Sequence, residues 1–450
     1  IHSRALTFEV DQISNMALQA ARLQSRGPHM DGGGQSRKSD AMHRAMSSRL
    51  ALESSIIDEA HIVFSTLNSS GHPCLEGSSF SIAIIDEAAQ CSEPSLLIPL
   101  RLGVKHCIMV GDPKQLPATI FSGVVQKYKY SRSMFERLTD VGHHHLMLNT
   151  QYRMVPAISA FPSNTFYGGK LADGPNVQCP TYLPDFLQTS TSGPCRLKPF
   201  LFFDLKSSRE ASSSGDGGHN QSSHLNTEEA KLCVKLVEAI IEEARSSGVK
   251  CGNIGVITPY QNQLRELRRR FTNADLYKAK SKNGKSPNEN SSGGTPRGMD
   301  IELNTVDAFQ GREKDIIIIS CVRAGEHGNI GFLSDTRRMN VALTRAKKGL
   351  FIVGRAQTLH HNVQWGALLD SAERENSLIP LTSADEALLP VLESYMTPYG
   401  TSTNKRGLMD CALGNDGTTA KKPNTTRRRR VEGPREESEE PEEGEIVGSP

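Results

Sequence analysis

The sequence predicts an α/β protein with two parallel sheets, each sandwiched between helices. Three observations carry that prediction. The segments IAIID (82–86), CIMVGD (107–112), IGVIT (254–258), DIIIIS (315–320) and LFIVG (350–354) are short and almost purely aliphatic, as strands covered on both faces are. Segments of helical period lie between them. The strand-type runs also stop abruptly at polar residues, as strands do where an open α/β sheet meets its ligand crevice. A length of 450 residues leaves room for two or three domains with real cores. One sheet falls before about Leu148 and the other after it.

Taken in order, residues 24–40 (QSRGPHMDGGGQSRKSD) are polar and Gly-rich and read as a loop. Folded sequence then runs from about Ala41 to Lys206, and residues 209–223 form a Ser/Gly-rich insertion. A helix follows, with Asn226 or Thr227 as its cap and Glu228 and Glu229 in its first turn. Cys233, Leu236, Val237, Ile240 and Ile241 fall on one of its faces. Ile254–Thr258 reads as a strand, Gln261–Phe271 as a basic helix and 273–297 as a second low-complexity insertion. Strands return at Glu302–Val306, Asp315–Cys321 and Leu350–Gly354, with a helix over Ser334–Lys347 between the last two. Past about Pro380 the apolar pattern fades. A basic block, Lys421–Arg430, precedes an acidic one, Glu432–Glu445, and such blocks repel themselves and stay disordered.

The net charge of +2 decides nothing about partners, so local charge must. The nine cysteines are scattered without a CxxC pair, which argues against a zinc site or disulfide framework and for a reducing compartment. No apolar run approaches the roughly 20 residues of a membrane helix, and the first residues lack the pattern of a secretory signal. The chain opens on Ile1, which leads us to expect a fragment.

The chemistry concentrates at the strand ends. Asp86 and Glu87 close the first aliphatic run; the first acid can hold magnesium and the second orient a water toward a phosphate. An acidic pair also suits the first turn of a helix. In GDPKQLPAT, Gly111 lets backbone approach a ligand closely, and the Gln115 amide can bond a water and a phosphate oxygen together. Arg153 is a permanent planar cation suited to a transferring phosphoryl group, and Tyr152 can stack on a base. A surface ion pair and a half-buried tyrosine are the plainer account of such a pair. Thr305, Asp307, Gln310, Gly311, Arg312 and Glu313 crowd a loop between two strands. Arg338 and Arg345, seven apart, are expected on one helical face.

IIDEAAQ, GDPKQLPAT, QYRM, TPYQNQ, TVDAFQGREKDIIIIS and NVALTRAKKGLFIVG occur in this order. The set resembles motifs II to VI of superfamily 1 helicases of the up-frameshift and senataxin-like group, over roughly Ala51–Ala367. The resemblance implies two RecA-like domains: the later part of the first over 1–147, the second over 148–370, and a mostly disordered tail over 371–450. It implies ATP and Mg2+ as cofactors, with Asp86 as magnesium ligand and Glu87 as activator of water. Gln115 corresponds to the γ-phosphate sensor, Tyr152 to the adenine-stacking residue, Arg153 and Arg345 to two arginine fingers, and Glu313 to a nucleotide contact. Thr66, Pro117, Thr258, Thr305 and Val306 fall where the family follows a single strand. The implied partners are single-stranded RNA or DNA and, further, RNA:DNA hybrids, with movement from 5′ to 3′. No membrane is implied. The charged tail offers a surface for protein partners, and its basic block implies the nucleus.

One motif of the family is missing. Its phosphate-cradling loop, GxxxxGK[ST], has only two near matches: GGGQSRKS (32–39) has Arg37 where the second glycine belongs, and AKSKNGKS (279–286) lacks the first. The first sheet is therefore expected to be truncated at its N-terminal side. The parent protein is expected to hydrolyse ATP and unwind nucleic acid, and this chain alone to do so poorly. The alternative is a non-catalytic, helicase-like module that binds nucleic acid or protein.

Overall fold

The computed structural model describes residues 34–120, 122–187, 197–213, 223–249, 252–277, 300–326 and 328–395. It opens with α1 (Gly34–Glu59), which begins inside the segment expected to be a loop. From Gln35 to Glu59 no Gly or Pro interrupts the chain, so the helix runs on. The first sheet pairs β1 (Ile82–Ile85) with β2 (His106–Met109) in parallel, Ile82 opposite His106. With α2 (Glu93–Leu100) and α3 (Met134–Asp140) it shares a small core: Ile85, Ala88 and Leu96, packed by Leu67, Met109, Met134 and Phe135. Only part of this sheet is covered. Ile84 is 70% exposed and Ile108 51%, against the expectation that both faces are buried. Among the described residues no core cluster forms on that side, and Phe64, Leu146 and Leu148 are exposed as well.

A short parallel pair, β3 (Thr150–Gln151) with β4 (Ala172–Asp173), leads by way of α4 (Pro156–Tyr167) to the main sheet. That sheet contains β5 (Phe200–Leu205), preceding a hairpin of β6 (Ala211–Ser213) and β7 (Ser223–Leu225) at the ends of the first insertion. Its other strands are β8 (Ile254–Thr258), β9 (Ile301–Thr305), β10 (Lys314–Ser320), β11 (Ala346–Gly354) and β12 (Leu378–Leu381). All six strands run parallel in the order β12-β5-β11-β10-β8-β9. The aliphatic runs divide residue by residue, as the twofold period of a strand requires. Leu201, Phe203, Ile316 and Ile318 join one core, beneath α5 (Thr227–Ser246) and α6 (Gln261–Asn273). Phe200, Phe202, Ile317 and Ile319 join the other, with Ile158 of α4. Asn226 caps α5 by accepting the Glu229 N–H.

Two expectations are corrected here. The helix placed over Ser334–Lys347 is α7 (Thr336–Leu343), capped by Asp335, and β11 begins at Ala346. Arg345 therefore lies beyond the helix and shares no helical face with Arg338. The apolar pattern also continues past Pro380. After α8 (Val363–Arg374), α9 (Leu388–Tyr395) buries Leu388 and Leu392 in the core under α5. Both sheets lie within one compact unit. Most of the second insertion and the charged blocks of the tail lie outside the described residues. Among those described, no helix is long and apolar enough to cross a membrane.

Candidate active site between the two sheets

The carboxyl ends of β1 and β2 meet at a backbone contact. After β1, Asp86 Oδ1 accepts the Glu87 N–H at 2.9 Å, and Glu87 adopts a left-handed φ of 52° that a non-glycine residue seldom takes. The Ala88 N–H donates to the Val110 carbonyl at 2.8 Å. A Cβ on Gly111 would stand 2.8 Å from Ala89 N and 3.0 Å from Ala88 N. Only glycine fits, and the backbone it admits is the turn after β1 rather than a ligand. Asp112 then organises the next turn. Its Oδ1 accepts the Lys114 N–H at 2.9 Å, and its Oδ2 accepts Gln115 Nε2 at 3.0 Å and the Tyr167 hydroxyl at 2.6 Å.

The facing side comes from the second sheet. Gln151 Oε1 accepts the Arg153 and Met154 amides, which fixes the backbone of the QYRM segment. Arg153 donates from Nε to Glu313 Oε2 at 2.5 Å and from Nη1 to the Thr344 carbonyl at 3.1 Å. Glu313 also pairs with Lys347 at 2.7 Å. Burial alone would raise the Glu313 carboxyl, but Lys347 and Arg153 outweigh it and hold it below its usual range. Tyr152 is 60% exposed. Gly174 lies so close to its ring that a Cβ there would approach to 2.4 Å.

Arg345 is the unusual member, with 2% of its surface exposed. Its Nε donates to the Val341 carbonyl at 2.9 Å, and its Nη2 to Thr344 Oγ1 at 3.0 Å and to Gln115 Oε1 at 3.3 Å. Among the described residues no carboxylate reaches it within ion-pair distance. Burial, then the neighbouring Arg153, pushes its pKa down to about 10, while Glu87 and Glu313 act in the opposite sense. A buried guanidinium without a counter-ion is costly. An anion entering beside Gln115 would offset that penalty.

The structure thus brings Gln115, Arg153, Glu313 and Arg345 into one network, with Glu87 close enough to act on Arg345. It gives Arg338 different company: Asp307 at 2.8 Å, Asp335, and the face of Phe332. Of the five positions expected along a nucleic-acid strand, Thr66 is exposed and hydrogen-bonded to Ser69, and Pro117 is half-buried. Thr258 and Thr305 are register partners at the ends of β8 and β9, with Val306 next in the chain. All three are buried, so as they stand their side chains present no open face to a polymer. Sequence reasoning missed Asp112 as an organiser and missed Tyr167 and Lys347 altogether, while Asn340, read as part of the helix before the last strand, was given no partner. Asp112 sits inside a quoted motif, but nothing in the sequence pairs Tyr167 or Asn340 with it. Two buried polar atoms here lack a partner, Asn340 Oδ1 and Gln310 Nε2. The near match GGGQSRKS lies in the first turns of α1 from Gly34 onward.

Outside the cleft, Glu53, His72 and Cys74 place ligand atoms within 4.8 Å of one another. Glu53 is paired with Arg49, and His72 Nδ1 accepts the Cys74 N–H, so the cluster already closes on itself.

A six-stranded parallel sheet, with Glu313 and Arg345 immediately before β10 and β11 and facing the acid-bearing turns of another parallel pair, is an architecture of the P-loop NTPase-like class. Two family models, each described as an AAA domain, match residues 130–357 and 14–123. The chain is 40% identical over 337 residues to the probable helicase MAGATAMA 3 of Arabidopsis thaliana, covering 74% of this chain and 37% of that protein. It is 39% identical over 326 residues to helicase SEN1 of Saccharomyces cerevisiae, 72% of this chain and 13% of the other. Against the regulator of nonsense transcripts 1 of Dictyostelium discoideum it is 38% identical over 349 residues, 76% and 24% respectively. The chain belongs to the superfamily 1 helicases of the up-frameshift and senataxin-like group. It spans little more than a third of the first of these relatives and less of the other two.

Proposed function

We propose that this chain carries the hydrolytic half of an ATP-dependent helicase, in which splitting ATP between the two sheets drives 5′-to-3′ movement along single-stranded RNA or DNA. The observation that supports the reading best is Arg345, a buried cation with no counter-ion among the described residues, whose Nη2 contacts the Gln115 amide. A terminal phosphate supplies the charge that site lacks.

On this reading each residue has its role. Glu87, at the strand end, takes the proton of the attacking water. Gln115, clamped by Asp112 and Arg345, orients that water. Arg345 and Arg153 stabilise charge spreading over the equatorial oxygens. The open Tyr152 ring stacks on the base, and Glu313 keeps Arg153 and Lys347 aligned. Asp86 is the residue that would hold Mg2+, which when bound neutralises developing phosphate charge. Alone, the chain should turn over ATP weakly, because its sequence contains no GxxxxGK[ST] motif. That same lack is what favours the second reading, a binding module without hydrolysis.

Single-strand contact at Thr66, Pro117 and the backbone around Thr258, Thr305 and Val306 should be sequence-tolerant and weakened by salt. RNA:DNA hybrids are a further substrate class, and the charged tail a site for protein partners. We place the protein in the nucleus on the strength of Lys421–Arg430; a reporter fused to residues 415–450 that stayed cytoplasmic would count against this.

The deciding experiment is Glu87→Gln in the full-length protein. ATP hydrolysis stimulated by single-stranded RNA should disappear while nucleotide still binds. Undiminished turnover removes Glu87 from the mechanism, and a wild-type protein that binds RNA without hydrolysing ATP establishes the binding-module reading.

A further inference from the structure

The Gln115 turn belongs in sequence to the first sheet but is fastened to the second. Leu116 is buried in the second sheet's core beside Met154, Val155 and Ile158. Next to it runs a chain of polar contacts. Asn340 Nδ2 of α7 donates to the Lys114 carbonyl at 3.0 Å and to the Tyr167 hydroxyl at 2.8 Å. Tyr167, the last residue of α4, donates to Asp112 Oδ2 at 2.6 Å, and that same oxygen accepts Gln115 Nε2. Burial, then the Asp112 carboxylate, pushes the phenol up, so Tyr167 keeps its proton and remains the donor. The helix that carries it is pinned by Ile158 and Phe166 in the core and ended by Gly168 in the left-handed conformation.

We infer that Tyr167 is a positioning residue for ATP hydrolysis, which sets the Gln115 amide through Asp112 and couples it to Asn340 of the second sheet. The inference rests on the proposed role of Gln115. The chemistry is one of orientation. An amide has a donor end and an acceptor end. With Asp112 taking Nε2, Oε1 is directed toward Arg345 and is free to accept from the attacking water of the proposed reaction. Asp112 can hold that donor only while its own carboxylate is fixed, and the Tyr167 hydroxyl fixes it. Neither Tyr167 nor Asn340 needs to touch nucleotide for this.

The test is Tyr167→Phe in the full-length protein, which removes one oxygen and keeps the ring. Loss of a partly buried hydrogen bond to a charged group should lower kcat roughly tenfold, with KM for ATP within about twofold, because the orientation matters most in the transition state. In a Gln115→Ala background the same substitution should cost nothing further, the non-additivity of two residues acting as one. Amide exchange over residues 112–117 should quicken, since the Lys114 and Gln115 N–H groups bond to Asp112. An unchanged kcat, an equal loss in the Gln115→Ala background, or unaltered exchange overturns the inference. If the wild-type protein hydrolyses no ATP, the functional reading falls, and the exchange measurement still decides whether Tyr167 holds the turn.

Discussion

Replacing Arg345 with Gln separates the two jobs a buried cation can have. In the folded chain its pKa falls from the ordinary arginine range to about 10, mainly through burial. At 1.36 kcal/mol per unit, that is a penalty of about 3 kcal/mol for keeping it charged. The unfolded chain binds this proton more tightly, so the penalty is present in full below about pH 10 and fades only as pH climbs above it. Against it stand hydrogen bonds to Val341, Thr344, Arg312 and Gln115, each worth about 1 kcal/mol net, of which Gln can keep one or two. The terms nearly cancel. Arg345→Gln should change stability by no more than about 2 kcal/mol in chemical unfolding, while a function in the transition state loses on the order of a thousandfold in kcat. The assay is single-strand-stimulated ATP hydrolysis beside a urea titration of the same protein. A variant that hydrolyses within tenfold of wild type, or one destabilised by 4 kcal/mol or more, would refute the reasoning. The second result would make Arg345 a structural clamp.

Two further predictions follow from neighbouring features. Glu229 is fully buried, and burial raises its pKa from 4.5 to about 8 against hydrogen bonds from Val322 and Ser320. The folded state therefore keeps a proton that the unfolded chain gives up, so stability is greatest below pH 4.5 and is lost as pH rises through about 8. Urea titrations should show a decline of about 3 kcal/mol between pH 5 and 8 that Glu229→Gln largely abolishes; parallel curves for the two proteins would exclude Glu229 as the source. Tyr152→Ala should raise KM for ATP roughly tenfold with little change in kcat, as expected for removing a stacking contact of about 1–2 kcal/mol. A fall in kcat at constant KM would place the ring elsewhere in the cycle.

The second sheet was legible because its central strands are buried on both faces, and the uniform aliphatic runs around Ile316–Ile319 and Leu350–Val353 have no other economical explanation. The first sheet was legible in its strands but not in its exposure. Ile84 and Ile108 read as buried, and whether a residue is covered depends on what packs against it, which composition does not record. Misplacing Arg345 on a helix had a simpler cause. VALTRAKK keeps helical propensity past the point where Lys314–Ala346 pairing draws the chain into β11. Asp86, Glu87, Gln115, Arg153 and Arg345 could be named because each stands in a short motif near one end of a strand; of these, Gln115, Arg153 and Arg345 share one hydrogen-bond network. Tyr167 and Asn340 carry no such mark. Each gains its meaning from a partner far away in sequence.

That difference bears on how the proposed motor would work. Its acids are attached to the first sheet and its guanidinium groups to the second. The turn from Asp112 to Pro117 is covalently part of one and packed into the other through Leu116. Any change at Gln115 when a terminal phosphate is lost must pass either into Arg345, whose remaining bonds are to neutral oxygens, or into Asp112 and thence Tyr167 and Asn340. The first path releases a buried charge from its anion, and the second loosens the fastening between sheets. Both favour rearrangement of the cleft after hydrolysis rather than before it. On the proposed reading, coupling of chemistry to movement then requires no further element than a strap whose two ends belong to different sheets.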